Sequence, residues 1–208
     1  MIQGSPEWLQ SRVGRVTASR VADVIAKTKA GYGASRASYM SELICERLTG
    51  QPADRFVSPA MAHGTEHEPN ARAAYSFLTG DVVEEVGFIP HPTIPMTGAS
   101  PDGLVGERGL IEIKCPNSAT HIETLLTETI PSKYVTQMTW QAVCTRRHWV
   151  DFVSYDPRMP PDMMLFVKRH MVSGDFAAEL ETEVVKFLAE LDAKVAELQA
   201  RFVQREAA

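Results

Sequence analysis

The stretch 97–116 reads TGASPDGLVGERGLIEIKCP, and it restricts the fold more than any other part of the chain. From Leu110 to Cys115 the apolar residues Leu110, Ile111, Ile113 and Cys115 interleave with Glu112 and Lys114, which is the pattern of a strand with one polar face. Side chains two apart on a strand point the same way, so Glu112 and Lys114 share that face. Upstream, Gly106 through Gly109 supplies a turn that folds the Leu104–Val105 run back beside the strand, and Asp102 precedes a glycine. The expected product is a hairpin with two carboxylates, Asp102 and Glu112, and one ammonium, Lys114, converging at one end.

Such a cluster suits hydrolysis of a phosphodiester. The reaction needs a cation beside the phosphate and an activated water, and two nearby carboxylates hold Mg²⁺ while leaving coordination positions for both. A lysine beside them orients or deprotonates that water, or offsets developing charge. Taken alone, Glu112-x-Lys114 reads as an ordinary ion pair on an exposed strand face. A Pro101-Asp102 dipeptide ten residues upstream, with a hairpin between, favours the catalytic reading.

Pro101-Asp102 followed by Glu112-x-Lys114 resembles the PD-(D/E)xK nuclease motif. The fuller string SPDGL…GLIEIKCP is similar to that of the lambda-type phage recombination exonucleases, and the resemblance runs from Trp8 to at least Pro160 with its motifs in the family's order. It implies a restriction-endonuclease-like core, in agreement with the interspersed strand and helix signals: an α/β fold with a central mixed β-sheet flanked by helices and a long C-terminal helix, as one domain over 1–208. The activity it implies is Mg²⁺-dependent digestion of one strand of linear double-stranded DNA, 5′ to 3′, with Mn²⁺ as a substitute metal. Mononucleotides are released and 3′ tails are left for recombination by strand annealing. A ring-shaped homotrimer around DNA, a single-strand-annealing partner protein, and a phage or prophage origin in a bacterial cytosol come with the same resemblance. Two rivals share the hairpin: a structure- or site-specific DNA endonuclease, and a non-catalytic DNA-end-binding module with a retired site. Intact Asp102, Glu112 and Lys114 count against the second.

The resemblance also assigns residues. Asp102 and Glu112 hold the metal, joined by the backbone carbonyl of Ile113 and by Glu68 of a G-x-x-x-E motif, and Lys114 acts on the water. Arg12 and Ser19, from a W-x-x-x-R…T-A-S string, together with Ser100 and Gln137 of a Y-x-x-Q pattern, hold the terminal 5′ phosphate. The residues by themselves allow plainer roles. Thr17 or Ser19 caps a helix running to about Lys27, Ser100 is a turn residue, and Gln137 faces solvent on a helix. Thr65-x-x-Glu68 forms a capping box with Pro69 in the first helical turn, which leaves Glu68 as either cap or metal-site acid. His63 and His67, four apart, are set aside as a metal pair because Gly64 and that cap intervene.

The remaining signals fill in a compact enzyme. Residues 5–12 read as a helix with Ser5 as N-cap, 29–35 as a mobile Gly-rich loop, and 38–48 as an amphipathic helix. A strand is expected over 82–89, helices over about 121–126 and from Pro131 to Arg146-Arg147, and strands over 149–155 and 163–170. A helix over about 175–204 carries Phe176, Leu180, Val184, Phe187, Leu191, Val195, Leu198 and Phe202 on one stripe. The net charge of −5 excludes a protein that coats DNA by bulk electrostatics. Three widely spaced cysteines fit reduced thiols, and no long apolar run suggests a membrane span.

Overall fold

The computed structural model describes residues 2–29, 31–53 and 58–206. In chain order the elements are α1 (Pro6–Arg12), β1 (Val16–Thr17), α2 (Val21–Val24), β2 (Lys27–Thr28), β3 (Gly31–Tyr32), α3 (Ala34–Thr49), α4 (Pro59–Thr79), β4 (Val83–Glu84) and β5 (Ile89–Pro90). They continue as β6 (Thr97–Ala99), β7 (Gly103–Val105), β8 (Gly109–Lys114), α5 (Ser118–Thr127), α6 (Ser132–Thr145), β9 (Trp149–Tyr155), β10 (Leu165–Met171) and α7 (Gly174–Glu206).

A five-stranded mixed sheet, ordered β10-β9-β8-β7-β4, forms the centre. Strands β7 and β8 make the expected antiparallel hairpin, with Gly103 opposite Ile111. Strand β9 runs parallel to β8, Gly109 opposite Trp149 and Lys114 opposite Ser154. A parallel neighbour needs a long crossover, and α5 and α6 supply it. Alternation along β8 then sorts its side chains. Ile111, Ile113 and Cys115 pack with Ala71 and Tyr75 of α4, while Leu110 packs with Met138 and Ala142 of α6. Glu112 and Lys114 follow Leu110 onto the α6 side. A second core unites α2, α3, Trp140 and the α7 residues Leu180, Val184, Phe187 and Leu191, so the first half of the α7 stripe is buried. Phe202 is exposed.

Four expectations require correction. Residues 29–35 are not a loop where described: Lys27–Thr28 pairs antiparallel with Gly31–Tyr32, and α3 begins at Ala34; Ala30 lies outside the described residues. The helix after Thr17 is short, a 3-10 turn over Ala18–Arg20 followed by α2, and neither Thr17 nor Ser19 caps it. The 82–89 strand is two strands in different sheets, since β4 pairs with β7 whereas β5 pairs with β6 in a small sheet with β1. Poor alternation there reflects a chain that changes sheets and never presents one continuous face. Finally, α4 starts at Pro59 with Ser58 as N-cap, its hydroxyl accepting from the Met61 N–H. Thr65 therefore caps nothing; its hydroxyl bonds back to the Met61 carbonyl, and Pro69 lies inside the helix.

The β8–β9 register depends on one missing side chain. A Cβ at Gly109 would overlap the six-membered ring of Trp149, its partner across the parallel pair. Because the clash is with a packed ring, Gly109→Ala is expected to destabilise the protein by ~1–3 kcal/mol. Urea or thermal unfolding measures this, and an unchanged midpoint would show that Trp149 moves freely.

Candidate active site

Five elements bring the polar cluster together around a cavity of ≈ 560 Å³. Glu68 enters from α4, Asp102 from the loop before β7, Glu112, Ile113 and Lys114 from β8, and Gln137 from α6, with Trp8 of α1 at the wall. The positions of these groups follow from the sheet. Strand β7 pairs with β8 only as far as Ile111, so the next inward-facing amide on that edge, Ile113 N–H, has no ladder partner. The Asp102 carboxylate takes it at 2.7 Å. A residue's N–H and C=O point to the same side of a strand, so the Ile113 carbonyl faces the same open edge beside Asp102.

Glu112 is fully buried and is held on both oxygens. Gln137 Nε2 donates to Oε1 at 2.6 Å, and Gln141 Nε2 donates to Oε2 at 2.5 Å. Lys114 Nζ forms an ion pair with Oε1 and stands 5.1 Å from the Tyr134 ring. Burial opposes the charge on Lys114, but Glu112 and Asp102 outweigh it and hold the ammonium above its ordinary pKa. Gln141 lies on the same polar stripe of α6 as Tyr134 and Gln137, at i+7 and i+4. Its role needed one further step: residues four apart on α6 both face the strand side that carries Glu112.

Glu68 accepts from Arg72 Nη2 at 2.6 Å, and Arg72 also reaches the Asp102 carbonyl at 3.3 Å and Glu85 at 3.1 Å. Glu68 caps no helix end; it pairs with Arg72 one turn on and lines the cavity. Burial first, then repulsion from Glu112, raises the Glu68 pKa despite Arg72. Asp102 is pushed well above the usual carboxylate range, chiefly by burial, then by Glu112 and Glu68, against Lys114 and the Ile113 amide.

The expected phosphate ligands are less gathered. Ser100 accepts from the Trp8 indole at 2.9 Å, and the Arg12 guanidinium lies 3.9 Å over that ring, so one tryptophan joins the two. Ser19 is exposed, 3.5 Å from the Thr17 hydroxyl. None of these three lines the cavity. Gln137 does, and with one amide hydrogen on Glu112 it keeps a second N–H to donate.

The donor set fits a hard divalent cation. Asp102, Glu112, the Ile113 carbonyl and Glu68 offer oxygens only, as Mg²⁺ and Mn²⁺ require. Among the described residues no three His, Cys, Asp or Glu side chains cage an ion by themselves, so water and substrate oxygens would complete the shell. Nor, among those residues, is any helix long and apolar enough to cross a membrane.

Comparison with known proteins places the family and the fold. The family model of the YqaJ-like viral recombinase domain matches residues 7–148. An alkaline exonuclease from Laribacter hongkongensis, LHK-Exo, is 53% identical and superposes with a TM-score of 0.90, with 96% of this chain and 99% of that one covered. Its structure in complex with dAMP gives the same figures. A phage related exonuclease from Haemophilus somnus 129PT, 14% identical, shares the fold with a TM-score of 0.72, over 88% of this chain and 96% of that one. A search of curated proteins gave no match.

The raised Asp102 pKa carries a stability consequence with a definite sign. The folded state disfavours the ionised form, so stability is lost as pH rises from the ordinary carboxylate range through the raised value. With a chelator present, Asp102→Asn is expected to unfold at a temperature roughly 2–4 °C above wild type at neutral pH, with the gap closing in acid. Scanning calorimetry across pH tests this; a gap that persists in acid would trace the effect to packing.

Proposed function

The chain belongs to the YqaJ-like viral recombinase family, and from that premise we propose that it is a metal-dependent exonuclease that digests one strand of linear duplex DNA from its 5′ end. The single observation that carries the reading is the convergence of Glu68, Asp102, Glu112 and Lys114 on one cavity. Support comes from the 53% identity to an alkaline exonuclease over nearly the whole length of both chains.

Asp102, Glu112, the Ile113 carbonyl and Glu68 would hold Mg²⁺. When bound, the ion supplies an electrophilic contact to the scissile phosphate and acidifies a water. The protein's own contribution is placement and charge. Glu112 and Asp102 hold Lys114 protonated against the effect of its burial, so it acts first as a donor that orients the attacking water and offsets negative charge. Gln137 and Gln141 fix both oxygens of Glu112 and thereby its remaining lone pairs. Arg72 braces Glu68 and the Asp102 backbone together. Arg12, Ser19, Ser100 and the free N–H of Gln137 receive the terminal 5′ phosphate, which sets the direction of digestion. A homotrimeric ring, mononucleotide products, a single-strand-annealing partner and work in a bacterial cytosol complete the proposal.

Linear duplex DNA labelled at either end, with and without a 5′ phosphate, tests the reading in Mg²⁺ alongside a closed circle. Mononucleotide release from 5′-phosphorylated linear ends is expected, lowered by about 10²–10⁴-fold in Lys114→Ala. Cutting of the closed circle would instead assign an endonuclease, and end binding without cleavage a retired module. Gln141 is wholly buried and cannot meet DNA. Gln141→Leu is therefore expected to lower kcat and raise the Mg²⁺ concentration needed for half-maximal rate, with KM for DNA unchanged; a change confined to KM would remove Gln141 from this role.

A further inference from the structure

The helix that carries Arg12 does not reach the core. Helix α1 contributes no buried residue, so its position depends on polar ties, and such an element shifts at low cost when they are cut. Two of those ties run from α1 itself, the Trp8 indole to Ser100 and the Gln10 amide to the Gly50 carbonyl at 3.2 Å. Two more grip Gly14, in the turn between α1 and β1, through both of its backbone groups. Its N–H donates to Glu46 Oε2 at 2.7 Å, and its carbonyl accepts from Arg47 Nε at 2.9 Å. These are consecutive residues of α3.

Glu46 is buried, and its other oxygen accepts from the Ala53 N–H at 3.0 Å. A buried carboxylate is retained only where donors meet it, and here two backbone amides do so, one of them that of Gly14. Arg47 continues to Asp192 of α7 through an ion pair, which links the turn to the long helix. At a φ of +67° the turn requires glycine, and a Cβ there would come within 2.7 Å of Arg47 Cγ. Glu46 and Arg12 also line one small cavity, together with Leu9, Val13 and Pro52. On the far side of the turn the chain enters β1 and then the 3-10 turn that carries Ser19. Whatever fixes Gly14 therefore acts on two of the groups assigned to the terminal phosphate. We propose that Glu46 and Arg47 are positioning residues for the 5′ phosphate: they act through Gly14, holding α1 where Arg12 meets it. This rests on the reading of Arg12 as a ligand of that phosphate.

Linear duplexes ending in a 5′ phosphate or a 5′ hydroxyl, digested in Mg²⁺, test this with Arg12→Ala, Glu46→Gln, Gly14→Ala and the Arg12→Ala/Glu46→Gln double variant beside wild type. Circular dichroism first establishes that each variant is folded. The readout is the ratio of kcat/KM on the two ends, because a general loss of structure lowers both rates and leaves their ratio alone. Wild type is expected to favour the phosphorylated end, and Arg12→Ala to lose most of that preference. Glu46→Gln and Gly14→Ala are each expected to lower the ratio about tenfold, by raising KM for the phosphorylated end. Adding Glu46→Gln to Arg12→Ala is expected to lower it no further, since both act through one guanidinium. A preference absent in wild type, or unmoved by Arg12→Ala, would overturn the reading on which the proposal rests. A preference lost in Arg12→Ala yet kept in Glu46→Gln or Gly14→Ala would overturn the proposal alone, and so would a further fall in the double variant.

Discussion

The burial of one acidic side chain, Glu112, is the constraint on which the site depends. A carboxylate with no solvent exposure is tolerated only when its oxygens are met by donors, and an unpaired one would take up a proton or unfold its surroundings. Here an ammonium and two amides meet it. Both amides come from α6, which fixes α6 over this face of β8 and in turn fixes the crossover that lets β9 lie parallel to β8. The scaffold and the chemistry are therefore set by the same contacts.

Asp102 shows the complementary strategy. It is placed by a deficit, since β7 stops pairing early and leaves the Ile113 amide for a carboxylate to claim. Burial first, and then proximity to Glu112 and Glu68, raises its pKa and costs folding stability at neutral pH. Lys114 and Arg72 offset part of the repulsion among the three acids, and a divalent ion in the proposed site would offset more. The stability lost there is offset elsewhere by neutral packing, in the α7 core and in the Trp149–Gly109 contact.

How much of this could be read in the sequence divides along physical lines. The β7–β8 hairpin, α6, β9 and α7 were legible because each carries a strong local period, and the site acids on the hairpin came with it. Helix α4 was misplaced because the Thr65…Glu68 spacing and Pro69 imitate a helix start, while the true start at Ser58-Pro59 follows residues with no apolar period. The strand expected over 82–89 failed because no local signal marks a change of sheet. Gln137 was expected to face solvent or phosphate, and Gln141 was one polar residue among several. Their bonds to Glu112 are contacts over more than twenty residues of sequence, and only tertiary structure reveals them.

Contacts of that length also tie the β7–β8 hairpin to the segments that precede it in sequence. The Pro101-Asp102 loop is held at successive points by segments distant in sequence: the Gln3 amide on the Pro101 carbonyl, the Trp8 indole on Ser100, and Arg72 on the Asp102 carbonyl. Just upstream, the buried Thr97 hydroxyl donates to the Val16 carbonyl and accepts from the Trp140 indole. Trp140 lies on α6, one residue before Gln141. One helix thus orients Glu112 through its glutamines and anchors the strand leading to Asp102 through its tryptophan. Helix α6 is therefore one element that both acids share, and a hydrophobic substitution at Trp140 would reach the strand before Asp102 without touching either carboxylate.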